Sequence, residues 1–311
     1  MRILIAGAGA VGSYFGGRLI QSGADVTFMV RERRAQQLEQ HGLVIRSSYG
    51  DFVSEVPFIR WTDACDPFDV VVLCCKAFDL AATTTALATK ITAHATVLPL
   101  LNGIAHLEYL DAQLSSATVL GGTCHMGVTL DADGNVIHLN KLHSLTFGAR
   151  SADQQQACDA IEAALMKAPF TIKRSAQIQP EMWEKWMFLT TLASITCLMR
   201  GSIGDIVRTQ HGAGIIKSLL NETCAVASAA GFAPQAEFVH DATALLLDPA
   251  SSMTASMLRD VEKGLPTEAD HIIADMIRRG QQYEIATPLL KIALTHLQVY
   301  AARSLYSPQS T

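Results

Sequence analysis

The amino-acid sequence predicts an α/β domain with a parallel sheet, followed by an all-helical domain. Residues 1–17 combine a short apolar strand, a glycine-rich turn and the start of a helix. Apolar runs of strand length then alternate with helical patterns, as in parallel sheets that are covered on both faces. From about residue 175 the strand-like runs disappear and long helical patterns follow one another. We therefore assign domains 1–174 and 175–311, with the linker at residues 177–180.

The composition fits two compact domains. The 311 residues are 49% hydrophobic and 17% charged, which suits sizeable apolar cores. The net charge of −5 gives no sign of a nucleic acid or an anionic membrane as partner. No apolar run reaches the roughly 18 residues that a membrane span needs. Seven cysteines without C-x-x-C spacing, and an N-terminus that is itself a strand, predict a reduced, cytoplasmic protein.

The glycine-rich turn has the spacing of a dinucleotide site. Gly7, Gly9 and Gly12 follow the first strand as G-x-G-x-x-G. In such a site the first glycine permits the tight turn, the second lets the backbone approach a pyrophosphate, and the third lets the helix pack closely. Ala10 completes the turn and Val11 begins the predicted helix Val11–Ile20, whose free N–H groups attract phosphate. We predict a Rossmann-type dinucleotide-binding domain; the alternative is a plain strand-to-helix turn.

The residue after the second predicted strand, Asp25–Val30, indicates which dinucleotide binds. NAD-binding proteins place an acidic residue there, about 20 residues after the glycines, to hold the ribose 2′-hydroxyl. This chain has Arg31, followed by Arg33 and Arg34. A guanidinium pairs with a 2′-phosphate, so Arg31 predicts NADP(H). The alternative is that these arginines are the solvated start of a helix.

Two further polar residues follow predicted strands. Lys76 follows the apolar run Phe68–Cys75, and Asn102 follows Thr96–Leu101. Ligands of open α/β sheets bind at the carboxyl ends of the strands, so both residues are expected at one edge with the glycine turn. Each is equally well explained as an ordinary polar residue at a strand end or helix start.

No metal site is expected. Residues 118–149 are β-rich, with a hairpin predicted around Asp131. The sequence there imitates the start of a calcium loop, but Leu142 stands where the loop needs its final glutamate. The histidines of this stretch lack metal-ligand spacing and are predicted to be ordinary strand residues: His125, His138 and His143.

Lys185 is the candidate proton donor of the helical half. It lies in a predicted helix, Glu181–Arg200, among bulky apolar residues. Helical spacing stacks Leu189, Leu192 and Thr196 on its face. Desolvation by apolar neighbours loosens the proton of an ammonium group, which suits a general acid. The alternative is a surface lysine whose charged end reaches water.

With these residues described, the chain resembles the ketopantoate reductase family over residues 1–297. The resemblance is carried by RILIAGAGAVGSYFGG, Arg31, CCKAFDL with Lys76, LLNG with Asn102, WEK with Lys185, and SMLRDVEKGLPTEADHI at 256–272. It implies NADPH-dependent reduction of the ketone of a 2-keto acid, in pantothenate biosynthesis for ketopantoate itself.

The resemblance also implies residue roles. In the family, the lysine matching Lys185 is the general acid, and the glutamate matching Glu268 positions that lysine and the substrate hydroxyl. The serine matching Ser256 binds the substrate carboxylate. The residues matching Lys76 and Asn102 lie beside the nicotinamide and the substrate.

The chain departs from the family one and two helical turns after Lys185. Family members usually carry asparagines at the positions of Leu189 and Ala193. Helical angles place the neighbouring hydroxyls away from the Lys185 face: Thr190, Thr191 and Ser194. Loss of two amides removes hydrogen bonds that discriminate by factors of about 10⁴. We therefore predict a paralogue that acts on a more apolar 2-keto acid.

Two functions follow from the sequence. The first is a two-domain NADPH-dependent reductase of a small 2-keto acid, with enough apolar helical surface for a homodimer. The second is a non-catalytic NADP(H)-binding redox sensor derived from the same family. The presence of both Lys185 and Glu268 argues against the sensor, because a sensor needs no proton donor.

Overall fold

A computed structural model describes residues 2–306. The chain forms two compact units, Met1–Gln179 and Pro180–Thr311. The short polar tail of the sequence, residues 307–311, lies outside the described residues.

The first unit holds two β-sheets. Its strands are, in chain order, β1 Ile3–Ala6, β2 Val26–Val30, β3 Leu43–Arg46, β4 Phe52–Ser54, β5 Phe58–Arg60, β6 Phe68–Leu73, β7 Ile91–Pro99, β8 Thr118–Val119, β9 Gly121–Leu130, β10 Val136–Gly148 and β11 Thr171–Arg174. Six of them form a parallel sheet in the order β5-β2-β1-β6-β7-β8. This order confirms the predicted α/β fold class.

The second sheet was not predicted as a separate layer. Its order is β11-β10-β3-β4, and β9 pairs with β10 as an antiparallel hairpin. The predicted hairpin turn is confirmed, because the Asp131 carboxylate accepts hydrogen bonds from the backbone N–H groups of Asp133 and Asn135. Residues 42–59 alternate weakly in sequence, a pattern that predicts small extra strands; these divide between the sheets, since β3 and β4 join the second sheet and β5 joins the first.

Helices and two apolar cores cover the parallel sheet. The helices of this unit are α1 Ala10–Gln21, α2 Glu32–His41, α3 Leu80–Ala88, α4 Ala105–Gln113 and α5 Gln155–Leu165, with 3-10 turns at Ala77–Asp79 and Ala152–Gln154. Along β1, Ile3 and Ile5 enter one core, whereas Leu4 and Ala6 enter the other. Because alternate side chains point to opposite faces, burial on both faces produces the continuous apolar run seen in the sequence.

The second unit is helical throughout the part that the structure describes. Its helices are α6 Ile178–Met199, α7 Ile203–Val207, α8 Gly212–Ala229, α9 Ala236–Leu246, α10 Ser256–Glu262, α11 Asp275–Gln282 and α12 Pro288–Tyr306, with a π-helical turn at Asp270–Ala274. The division between the two units, after Gln179, falls within the linker predicted at 177–180, although the segment is helical there because α6 begins at Ile178. The sequence pattern also predicts helices from Met253 to Glu262 and from Pro266 to Gly280; the first begins at Ser256 instead, and the second begins only after residues 265–268.

Two features that the sequence does not predict are a membrane-spanning helix and a metal site, and the described residues can be examined for both. Between residues 2 and 306 the structure has no helix that is long and apolar enough to cross a membrane. The same residues hold no group of three or more histidine, cysteine or acidic side chains arranged for a metal ion. The hairpin histidines are held by other contacts. His143 Nδ1 lies 3.1 Å from the Tyr14 hydroxyl, and His138 Nδ1 lies 2.9 Å from the Ser47 hydroxyl.

Candidate active site

One edge of the parallel sheet collects four of the predicted site residues. The adjacent strands β2, β1, β6 and β7 are mutually parallel, so their carboxyl ends lie at the same edge. Arg31, Gly7, Lys76 and Asn102 follow these four strands, in that order. The glycine turn lies between the other positions, because β1 is flanked by β2 and β6. The carboxyl edge is therefore where this unit offers a ligand site.

The glycine turn is shaped as a dinucleotide site requires. Gly7 has φ +107°, and a Cβ there would lie 3.0 Å from the backbone nitrogen of Cys75. A Cβ on Gly12 would lie 2.0 Å from the Gly7 carbonyl oxygen, so α1 packs against the turn only with glycine. A Cβ on Gly9, by contrast, would meet nothing within 4 Å. The turn thus packs against the segment after β6 at Gly7 and against α1 at Gly12, and it faces open space at Gly9, where α1 begins.

Two alanine substitutions separate these roles. Gly12→Ala is expected to destabilise the fold by several kcal/mol, about 3 or more, because backbone must move to admit the methyl group. Gly9→Ala leaves the melting temperature nearly unchanged, since the site is open and φ is −73°, but weakens dinucleotide binding. Thermal unfolding and calorimetric titration with NADPH measure the two effects. Equal loss of stability in both variants would contradict this assignment.

The arginines after β2 have different surroundings. The guanidinium of Arg31, the residue before α2, lies 2.6 Å from the Asp79 carboxylate and stacks over Trp61 at 4.4 Å. Arg34 instead points into the first unit, where it donates to the Gly134 carbonyl at 2.8 Å and to the Ser13 hydroxyl at 3.1 Å. Burial lowers the pKa of Arg34 from its usual value. Arg34 therefore holds α1, α2 and the hairpin together, whereas Arg31 and the exposed Arg33 lie at the surface, where a ligand can reach them.

Lys76 and Asn102 lie where their strands meet the following helical segments. Lys76 is the residue before the 3-10 turn, and its carbonyl accepts the N–H of Asp79 at 2.9 Å. Asn102 is half-buried, and its side-chain amide makes no hydrogen bond to residues 2–306. A half-buried amide without a protein partner is a natural contact for a ligand at this edge.

In the second unit, Lys185 lies on α6 as predicted. It is half-buried, as is Leu189 one turn later, whereas Ala193 is only 3% exposed. These three residues share one stripe of the helix because each follows the previous one by four positions. The stripe beyond Lys185 is therefore apolar, and it offers no amide to a substrate.

A hydrogen-bond path relates the Lys185 region to Glu268. The indole N–H of Trp186, which is 1% exposed, donates to the Ile272 carbonyl at 3.0 Å. Ile272 lies in the π-helical turn, and its own N–H donates to the Glu268 carbonyl at 3.0 Å. Glu268 is itself buried, at 7% exposure. Helix α6 and the segment that carries Glu268 are thus held together beside the catalytic candidates.

Ser256 is held near α6 by a neighbouring contact. It is the first residue of α10, and the preceding Ala255 donates its N–H to the Thr196 hydroxyl of α6 at 3.4 Å. The Ser256 side chain is exposed and makes no hydrogen bond within residues 2–306. Helix α6 therefore connects to the segments of both Ser256 and Glu268, which brings the three predicted residues of this unit onto adjoining elements.

Trp186→Phe tests the importance of this path. The substitution keeps an aromatic ring but removes the buried indole hydrogen bond to the Ile272 carbonyl, which is expected to cost about 0.5–1.5 kcal/mol. The matched control is Trp183→Phe, because the Trp183 indole stacks on Phe232 and makes no hydrogen bond to residues 2–306. Chemical denaturation measures both free energies of unfolding. The path is unimportant if the two variants lose the same stability.

Comparison with known proteins identifies the family. A family model described as "Ketopantoate reductase PanE/ApbA" matches residues 3–152, and its C-terminal counterpart matches residues 177–301. The chain belongs to this family. It is therefore an oxidoreductase-family protein, and the resemblance noted in the sequence is confirmed.

Individual relatives of the ketopantoate reductase family extend this result. The "uncharacterized oxidoreductase YkpB" of Bacillus subtilis is 34% identical over 97% of this chain and 99% of its own. A 2-dehydropantoate 2-reductase of Streptococcus pyogenes is 25% identical over 94% of this chain and 95% of its own. A D-mandelate dehydrogenase solved with NADH and anilino(oxo)acetate shares the fold, with a TM-score of 0.88, 22% identity, and coverage of 98% of this chain and 100% of that chain.

Three residues of this ketopantoate reductase homologue were missed in the sequence. Asp79 and Trp61 contact Arg31 from segments distant in the chain, and no local pattern marks them. Trp186 stands next to Lys185, but its bulk suggests only a core residue.

Proposed function

We propose that this protein is an NADPH-dependent reductase of a 2-keto acid that is more apolar than ketopantoate. The proposal rests on the stripe of α6 that follows Lys185, where Leu189 and Ala193 replace the asparagines expected from the family resemblance. A pocket without these amides cannot hydrogen-bond the hydroxyl of ketopantoate there, and apolar side chains favour an alkyl or aryl group instead.

The glycine turn and Arg31 are the proposed dinucleotide ligands. Gly7, Gly9 and Gly12, with the first helical residues Ala10 and Val11, would hold the pyrophosphate. Arg31 would pair with the 2′-phosphate, and Lys76 and Asn102 would lie beside the nicotinamide and substrate. When bound, the reduced nicotinamide supplies the hydride.

Lys185 is the proposed general acid. As a hydride reaches the carbonyl carbon, negative charge develops on the carbonyl oxygen, and a nearby ammonium stabilises that charge and then donates its proton. The products are the 2-hydroxy acid and the oxidised dinucleotide. Glu268 would orient Lys185, and Ser256 would donate a hydrogen bond to the substrate carboxylate.

The neighbours are compatible with this substrate class. The Streptococcus relative is a 2-dehydropantoate 2-reductase, whereas the D-mandelate dehydrogenase of the same fold was solved with an aromatic oxo acid. The family fold is thus found with both polar and aromatic ligands. Seven cysteines free of disulfides fit a reducing compartment, and we propose the cytoplasm.

An assay of NADPH turnover distinguishes the reductase hypothesis from the redox-sensor hypothesis. Purified protein is mixed with NADPH and branched or aromatic 2-keto acids, and the absorbance of the reduced nicotinamide is followed while the 2-hydroxy acid is quantified. A reductase consumes one NADPH for each hydroxy acid formed over many turnovers. Tight NADPH binding without oxidation by any of these acids would favour the sensor.

A further inference from the structure

A carboxylate occupies one side of the arginine that would recognise the 2′-phosphate. Asp79 Oδ1 lies 2.6 Å from Arg31 Nη2, and the two side chains are 28% and 50% exposed, respectively. Arg31 follows β2, while Asp79 ends the 3-10 turn after β6. Since β1 lies between β2 and β6, this ion pair joins the elements on either side of the glycine turn.

Trp61 fixes the orientation of the same guanidinium. Its ring lies 4.4 Å from Arg31 Cζ, a distance at which the cation is attracted to the ring face. One face of the guanidinium is thus covered and one nitrogen is paired. The remaining N–H groups make no hydrogen bond to residues 2–306, so a ligand would meet them with the Asp79 carboxylate close by.

The other charged side chains near Arg31 do not neutralise the negative charge of Asp79. Arg34 is committed to Ser13 and Gly134. Glu32 adds a further negative charge beside Arg31 in the sequence, and it is paired with Arg60 at 2.9 Å. Of the arginines in this segment, Arg31 and the exposed Arg33 therefore remain for a phosphate, and only Arg31 has the carboxylate of Asp79 beside it.

We propose that Asp79 determines the cofactor selectivity of this enzyme by countering the preference of Arg31 for the 2′-phosphate. A 2′-phosphate must share Arg31 with a carboxylate of like charge, which weakens NADPH binding. A ribose 2′-hydroxyl can donate a hydrogen bond to the same carboxylate, which favours NADH. Asp79 thus supplies, from the turn after β6, the acidic group that NAD-binding proteins carry after β2. The wild-type protein binds both dinucleotides.

Asp79→Asn tests this inference, which rests on the proposed dinucleotide site. Asparagine keeps an oxygen acceptor for Arg31 but removes the charge. We expect the ratio of the NADPH to the NADH dissociation constant to fall at least about tenfold, measured by calorimetry on the protein alone. Adenosine 2′,5′-bisphosphate is expected to gain affinity similarly, whereas adenosine 5′-monophosphate gains none. Adding Arg31→Ala to Asp79→Asn is expected to abolish the gain.

Asp69→Asn is the matched control. Asp69 is exposed at the amino end of the same strand β6, so the substitution makes the same charge change at the opposite edge of the sheet. Melting temperatures verify that all variants fold. An unchanged ratio in Asp79→Asn, or weaker NADPH binding, would overturn the inference while leaving the proposed function intact. Wild-type protein that binds neither dinucleotide would overturn both.

Discussion

Replacing Lys185 with alanine is expected to lower kcat by about 10²–10⁴-fold, the usual contribution of a general acid. The dissociation constant of NADPH is expected to stay within about twofold of wild type, because the glycine turn and Arg31 belong to the other compact unit. Steady-state kinetics on the best 2-keto acid and calorimetric titration with NADPH measure the two quantities separately.

Lys291→Ala controls for the loss of a lysine from this unit. Lys291 is exposed on α12, and its removal is expected to leave kcat unchanged. Lys185→Arg adds a second comparison, because arginine keeps the positive charge but holds its proton at all accessible pH values. Unchanged kcat in Lys185→Ala would exclude this residue as the proton donor.

Leu189→Asn is expected to shift substrate preference toward ketopantoate by at least about tenfold in kcat/KM. The new amide would lie one helical turn from Lys185, where it can hydrogen-bond a substrate hydroxyl, and it would be left unpaired by an apolar substrate. Leu189 is half-buried, so the site admits a polar group at little cost to folding. Competing substrates assayed with the same protein preparation give the ratio directly.

Leu245→Asn is the control for this substitution. Leu245 is a 55% exposed leucine on α9 of the same unit, and its replacement is expected to leave the ratio unchanged. Adding Ala193→Asn to Leu189→Asn is expected to enlarge the shift, although Ala193 is buried and thermal unfolding must accompany the assay. If ketopantoate gains nothing over the apolar acids, the α6 stripe does not determine specificity.

Most strands and turns of the first unit could be predicted because nearby residues in the sequence mark them. Strand β1 is buried on both faces, which explains why its residues form an unbroken apolar run. The close contact between Gly12 and the Gly7 carbonyl explains why glycines occur at this spacing. The second sheet was missed because β3 and β11 each pair with parts of β10 that are distant in sequence. Such pairings depend on tertiary packing, which propensity does not encode.

The site was predictable only in part for the same reason. Position at a strand end was enough to bring Arg31, Lys76 and Asn102 to one edge of the sheet. The ion pair of Arg31 with Asp79 could be predicted only by someone who already knew the strand order and the conformation of the turn after β6. The helix start predicted at Pro266 is wrong because residues 265–268 form no regular secondary structure, and no local pattern indicates the burial of Glu268.

The most direct test of the account compares kcat/KM for ketopantoate with kcat/KM for branched and aromatic 2-keto acids, using NADPH and wild-type protein. We expect at least one apolar acid to exceed ketopantoate by about tenfold or more. A clear preference for ketopantoate would contradict the account. It would mean that Leu189 and Ala193 are compatible with the family substrate, and that the enzyme is an ordinary ketopantoate reductase of pantothenate biosynthesis.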